Sequence, residues 1–127
     1  MRVIFYARED YPERVECVRA IRQVTADLPL DICPDQAQLA LSLPPLWSGE
    51  AVAILLIADP LDLKAALLHQ ELLTNLPLIL VLPDDDRETV RTGHQLRPRF
   101  VGFHGNDFSE ITAVLKRVLA RFSKSRN

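Results

Sequence analysis

Five short apolar runs, each followed by a stretch with helical spacing, set the rhythm of this chain. The first run, Arg2 to Tyr6, is rich in β-branched and aromatic residues and predicts a strand. Asp10-Tyr11-Pro12-Glu13 then opens a helix. Asp10 is placed to cap it, Pro12 suits its first turn, and Glu13 stands where a capping box puts its acid. Val15, Val18, Ile21 and Val24, with Cys17 beside them, make the apolar face, and Arg14, Glu16, Arg19 and Arg22 the polar one. Pro29 to Cys33 is the weakest strand candidate, and Asp31 inside it suits a sheet edge. Asp35 to Leu43 predicts a short helix capped by Asp35 and stopped by Pro44-Pro45. A loop then runs to Glu50, with Trp47 folded back over a helix or the sheet edge.

The middle of the chain does not alternate. Ala51 to Ala58 is apolar throughout, as is Leu78 to Leu82, so both strands are expected to be covered on both faces. Between them, Leu61 to Leu73 predicts one helix with Leu63, Leu67, Leu68, Leu72 and Leu73 as its apolar set, broken at Asn75-Leu76-Pro77. Pro83 and Asp84 to Asp86 lead into a short fourth helix that Gly93 limits. One of the three aspartates is expected to cap it. Arg99 to Phe103 is the fifth strand. After a turn at Gly105-Asn106-Asp107 comes the clearest helix, with Phe108, Ile111, Leu115, Val118 and Phe122 on one face and Glu110 completing a capping box with Asp107. Strand and helix alternating five times predict an α/β sandwich, a doubly wound five-stranded parallel sheet of flavodoxin-like order 2-1-3-4-5 with helices on both faces. Residues 1–122 form one domain, and 123–127 a frayed tail.

Composition narrows the chemistry. A chain of 127 residues is one domain on length, and its 48% hydrophobic content supplies a core without a covalent staple. A net charge of −2 argues against a nucleic-acid partner held by phosphate neutralisation. Cys17 and Cys33 have no metal spacing and no C-x-x-C, so they read as thiols in a reducing compartment. The N-terminal apolar run is too short for a signal peptide, and no stretch is long enough to span a membrane, so a cytoplasmic protein is expected. The four glycines, Gly49, Gly93, Gly102 and Gly105, never form a phosphate-cradling cluster.

Ala51 to Ala58 with Asp59-Pro60, then Pro77 to Leu82, Arg99 to Phe103 and the helix from Phe108, together resemble a response-regulator receiver domain over nearly the whole chain. The resemblance is one of pattern. It implies a signalling module of two-component systems, in which an aspartate ending the third strand accepts a phosphoryl group. An acidic pair after the first strand holds magnesium, and a hydroxyl and a lysine after the fourth and fifth strands read the phosphate. Aligning strand ends puts Ala7 and Arg8 at the acidic pair, Ile57 at the acceptor, Leu82 or Pro83 at the hydroxyl and Phe103 or His104 at the lysine. Every functional position departs from the family pattern. Isoleucine cannot accept a phosphoryl group, and an arginine in a carboxylate's place repels a metal ion. The resemblance therefore implies a non-catalytic pseudo-receiver without cofactor. It would act by protein–protein contact, as a homodimer or on a partner, through the fourth helix, fifth strand and fifth helix.

Other residues carry weaker signals. Glu9, Asp10, Asp59 and Asp84 to Asp86 lie near the carboxyl rim, where three oxygen donors would be needed for magnesium; helix caps and turns are the stronger reading. His104 on that rim reads as a loop histidine or as an acid–base group without a nearby nucleophile. His69 and His94 fall on helical segments. Asp10, Asp59, Asp84 and His104 with Arg8 are thus the residues an alternative function, a small enzyme or ligand or metal binder, would use. Arg91, Arg97 and Arg99 flank the fourth helix and fifth strand and read as a solvated loop or as a contact surface, since arginine forms bidentate pairs at interfaces.

Overall fold

Three apolar runs that refuse to alternate, in the first, third and fourth strands, fix the centre of the fold, because such runs must be covered from both sides. The computed structural model describes residues 2–43, 51–104 and 108–125. Its strands are β1 (Arg2–Ala7), β2 (Leu30–Cys33), β3 (Ala51–Leu56), β4 (Leu78–Leu82) and β5 (Phe100–Phe103). They form one all-parallel sheet in the order β2-β1-β3-β4-β5, the flavodoxin-like arrangement. Every residue of β3 and β4 is buried, whereas the edge strands β2 and β5 are mostly half-buried.

The helices divide between the two faces. They are α1 (Arg14–Val24), α2 (Gln36–Ser42), α3 (Pro60–Leu67), α4 (Gln70–Leu73), α5 (Arg87–His94) and α6 (Ser109–Ser125). Val3, Phe5, Val52, Ile54, Leu56, Ile79 and Val81 turn one way and pack with Cys17 and Ile21 of α1 and with Ile111, Leu115 and Val118 of α6. Ile4, Tyr6, Leu55, Ile57, Leu80 and Leu82 turn the other way, toward Leu39, Leu63, Leu73 and Leu96. Each fully buried leucine or isoleucine contributes about 1.5–3 kcal/mol of burial free energy, so the three central strands hold the fold.

Several local details differ from the sequence pattern. The first helix starts at Arg14, with Glu13 at its N-cap position and no side-chain cap, so Asp10 does not cap it. Its buried stripe is Cys17 and Ile21, four residues apart, while Val15 faces solvent at 61% exposure. The predicted third helix is two pieces, α3 and α4. The Leu68 and His69 amides donate to Ala65 and Ala66, three residues back, which tightens the chain, and Leu68 points into solvent. The fourth predicted helix is short, as expected, ending at His94 with Gly93 in its last turn. A Cβ there would stand 3.1 Å from Leu80 Cδ2 and 3.2 Å from the Leu82 methyls, so glycine sets how closely α5 approaches β4. The last helix continues to Ser125, past residue 123, at which the pattern placed the start of a frayed tail. Asp35 caps α2, its Oδ1 accepting from the Gln38 amide at 2.8 Å. The expectations for Pro44, Pro45, Trp47, Gly49, Gly105 and Asp107 concern positions outside the described residues.

Candidate functional site

The carboxyl ends of β1 and β3 lie side by side, Ala7 opposite Leu56, and the chain leaves both into short turns. Arg8 follows β1 and Asp59 precedes α3, so their side chains meet across the rim. Arg8 Nη1 donates to Asp59 Oδ2 at 2.8 Å, and Arg8 Nε donates to Asp10 Oδ1 at 3.1 Å. The other Asp59 oxygen, Oδ1, accepts from the Asp62 amide at 2.8 Å, making Asp59 the N-cap of α3 just ahead of Pro60. That amide, reinforced by Arg8, holds Asp59 below the usual carboxylate range. Asp10, and next Asp59, hold the Arg8 guanidinium above its ordinary value.

Beneath this surface lies a group the sequence pattern did not single out. Asp62 is 5% exposed. Its Oδ2 accepts from the Ala58 amide at 3.0 Å, while Oδ1 accepts from the Tyr6 hydroxyl and, at 3.1 Å, from Gln36 Nε2. One carboxylate thus ties together β1, α2 and the turn into α3. Burial, then the hydrogen bond to Asp62, drives the Tyr6 phenol upward from its usual value. Two signals for this cluster were present in the sequence. A tyrosine inside a buried strand needs a polar partner, and Asp62 stands three residues after a capping Asp59, the place from which an acid reaches back.

A second cluster joins β5 to the approach to α1. His104 Nδ1 is hydrogen-bonded to the Tyr11 hydroxyl and lies 3.8 Å from Glu13 Oε2, with the two rings 4.9 Å apart between centroids and tilted by 41°. Burial lowers the His104 pKa and Glu13 opposes it, while burial pushes the Tyr11 phenol up to about 12. His104 thus lies in the turn after β5 with its side chain packed against Tyr11. Its Nε2 is buried with no hydrogen-bond partner among the described residues.

The receiver-equivalent positions are occupied by core. Ala7, Ile57 and Leu82 are fully buried, and Phe103 is half-buried against the cluster that includes Leu80 and Leu82. Asp84 accepts from the Asp86 amide at 3.0 Å in a local turn. Asp86 holds the N-cap position of α5 without a side-chain cap, so the expected aspartate cap is not made. Neither is drawn toward Arg8 by any hydrogen bond, and among the described residues no three His, Cys, Asp or Glu side chains converge as a metal-binding group. His94 is exposed at the end of α5, and His69 is half-buried before α4 with its pKa lowered by burial. Burial raises both thiols, Cys17 to about 12, which makes them poor nucleophiles.

The arginine stretch lies elsewhere, around β5. Arg91 is exposed in the last turn of α5, and Arg97 is exposed with φ 53°, the left-handed region that a non-glycine residue occupies at a cost. Arg99, Arg117 and Arg121 line a groove of about 250 Å³ over Phe100, Val114 and Val118. No helix among the described residues is long and apolar enough to cross a membrane. No family model matches the chain, and no curated protein matches it.

Proposed function

We propose that this chain is a receiver-like signalling or scaffold module that works by protein–protein contact and not by phosphotransfer, located in the cytoplasm. One observation carries the reading. At the rim where a receiver does its chemistry, Ala7, Ile57 and Leu82 are sealed into the core, and the polar groups around them are spent on one another, Arg8 on Asp10 and Asp59, Tyr6 and Gln36 on Asp62. The arginines of α5 and of the connection from α5 to β5 instead face solvent, where arginine is suited to bidentate recognition of a partner or of a second copy.

Two measurements test this. Incubation with acetyl phosphate and magnesium is expected to leave no acid-labile phosphate on the chain; an acyl phosphate on any aspartate overturns the reading. Sedimentation of the wild type and of the Arg97→Glu, Arg99→Glu double variant is expected to show a change in self-association, or in binding of a partner once one is identified. An unchanged pattern removes the surface from the proposal.

One observation favours the alternative of a small ligand-binding protein, the buried Nε2 of His104, which has no hydrogen-bond partner among the described residues, beside Tyr11 and Glu13. A thermal-shift panel of flavins and nucleotides tests it, and a shift abolished by His104→Gln would place this alternative ahead.

A further inference from the structure

The β5 edge combines three features. First, its backbone has an open side. The Arg99 amide donates to the Leu78 carbonyl at 2.8 Å where β5 begins and the His104 amide to the Leu82 carbonyl at 3.0 Å where it ends. With Phe100 in register with Ile79 and Gly102 with Val81, Phe100 and Gly102 turn their backbone groups toward β4 while Val101 and Phe103 turn theirs outward. An uncovered strand edge is a template for another strand. Second, the groove between this edge and α6 has an apolar floor, Phe100 with Val114 and Val118. Third, its walls are cationic, Arg99 from the sheet side and Arg117 and Arg121 one turn apart on α6. Arg99 and Arg117 are exposed, and neither makes an ion pair among the described residues. This concentration of positive charge occurs on a chain whose net charge is −2.

We propose that the edge of β5 and the groove beside α6 bind an extended acidic segment of a partner protein. Main-chain hydrogen bonds would run to Val101 and Phe103, its carboxylates would meet Arg99 and Arg117, and its apolar side chains would rest on Phe100 and Val114. The proposal rests on the reading of this face as an interaction surface and names what the surface takes. Backbone pairing gives affinity without sequence preference, and side-chain contacts then set which strand is accepted. Charge complementarity selects acidic over basic segments and speeds their encounter. Nucleic acid fits less well, because the arginines border an apolar strip and an open strand edge and because the chain as a whole is acidic.

The test uses the whole chain and a fluorescent decapeptide of alternating glutamate and valine, read by anisotropy at low salt. Binding is expected, weakening as salt is raised and falling at least ~10-fold in the Arg99→Glu, Arg117→Glu double variant. Methylating alternate peptide amides should abolish it, since one row of main-chain bonds is lost. The proposal is overturned if the peptide does not bind, if a lysine–valine decapeptide binds equally well, if the double variant binds unchanged, or if duplex DNA of mixed sequence binds more tightly. Two exposed arginines carry no folding role, and thermal melts of the variant alongside the wild type check that it is folded. If the peptide fails while the Arg97→Glu, Arg99→Glu variant still alters self-association, the acidic-segment proposal falls and the interaction surface stands. If both fail, both readings fall.

Discussion

Arginine serves opposite ends at two places in this molecule. At the carboxyl end of β1, Arg8 is held between Asp10 and Asp59, within 3.1 Å and 2.8 Å. Along the edge of β5, Arg99 and Arg117 face outward with no ion pair among the described residues. The first arrangement is closed: its charges are answered inside the chain and fix the turns that carry them. The second is open and leaves its charges for something else. Surface ion pairs are worth little, so the closed rim owes its rigidity less to Arg8 than to Asp62 below it, where a carboxylate is out of water and every hydrogen bond weighs more. The difference between the regions is therefore one of depth. Substitutions at the rim should register in stability, and substitutions at the edge in association.

The strongest way to break this contrast is at Asp62. Asp62→Ala leaves the Tyr6 hydroxyl, the Gln36 amide and the Ala58 amide without their acceptor. A loss of about 3 kcal/mol is expected in urea unfolding, and Asp62→Asn should lose about half of that because it keeps one acceptor. A loss under ~1 kcal/mol would show that the cluster does not anchor the rim.

Tyr6→Phe comes next, at about 1–2 kcal/mol near neutral pH, since the ring stays buried and only the donor to Asp62 goes. It also carries a pH signature. Tyrosine in the unfolded chain ionises near pH 10, and the native environment holds Tyr6 protonated well above that. The stability this gives is complete below pH 10 and is lost as pH rises beyond it. Tyr6→Phe should flatten the alkaline limb without removing it, because Tyr11, at about 12, contributes in the same direction. An alkaline limb identical to the wild type would mean that Tyr6 is not shielded.

How far these regions could be foreseen follows from what the sequence encodes locally. The non-alternating runs at Ala51 to Ala58 and Leu78 to Leu82 announce covered strands, and Asp31 inside a short run announces an edge. The sheet order came from those signals. Asp35 and Asp59 were legible as caps or turn residues because capping acts over three residues. Asp10 was not, because its partner is decided by where Arg8 and the distant Asp59 bring their charges together. The Tyr6–Asp62 bond joins positions 56 apart, and only the register of β1 with β3 makes them neighbours. Val15 and Cys17 exchanged places for a related reason: both stripes are apolar, and the sheet chose the one centred on Cys17 and Ile21.

At the rim surface the expected effect is smaller. Asp59→Ala removes the α3 cap and one partner of Arg8, and about 1 kcal/mol is expected, nearly all of it from the cap. Asp59→Asn should recover most of this, because an amide oxygen still accepts from the Asp62 amide while the charge facing Arg8 is gone. If Asp59→Asn is as damaging as Asp59→Ala, the pair with Arg8 matters more than its exposure implies, and the closed rim is electrostatic after all.

The smallest effect on stability, and the sharpest test of the open edge, belongs to Arg97. Its φ of 53° is a conformation that costs a side-chain-bearing residue about 1 kcal/mol, and glycine adopts it freely. Arg97→Gly relieves that cost but gives the unfolded chain more freedom, worth a similar amount in the opposite direction. The net change in unfolding free energy should lie within ~0.5 kcal/mol. Arg97 is also one of the exposed arginines of the proposed contact surface. Arg97→Gly should therefore weaken self-association or partner binding while leaving the melting curve in place, whereas a loss above ~1 kcal/mol would assign Arg97 to the fold and remove it from the contact surface.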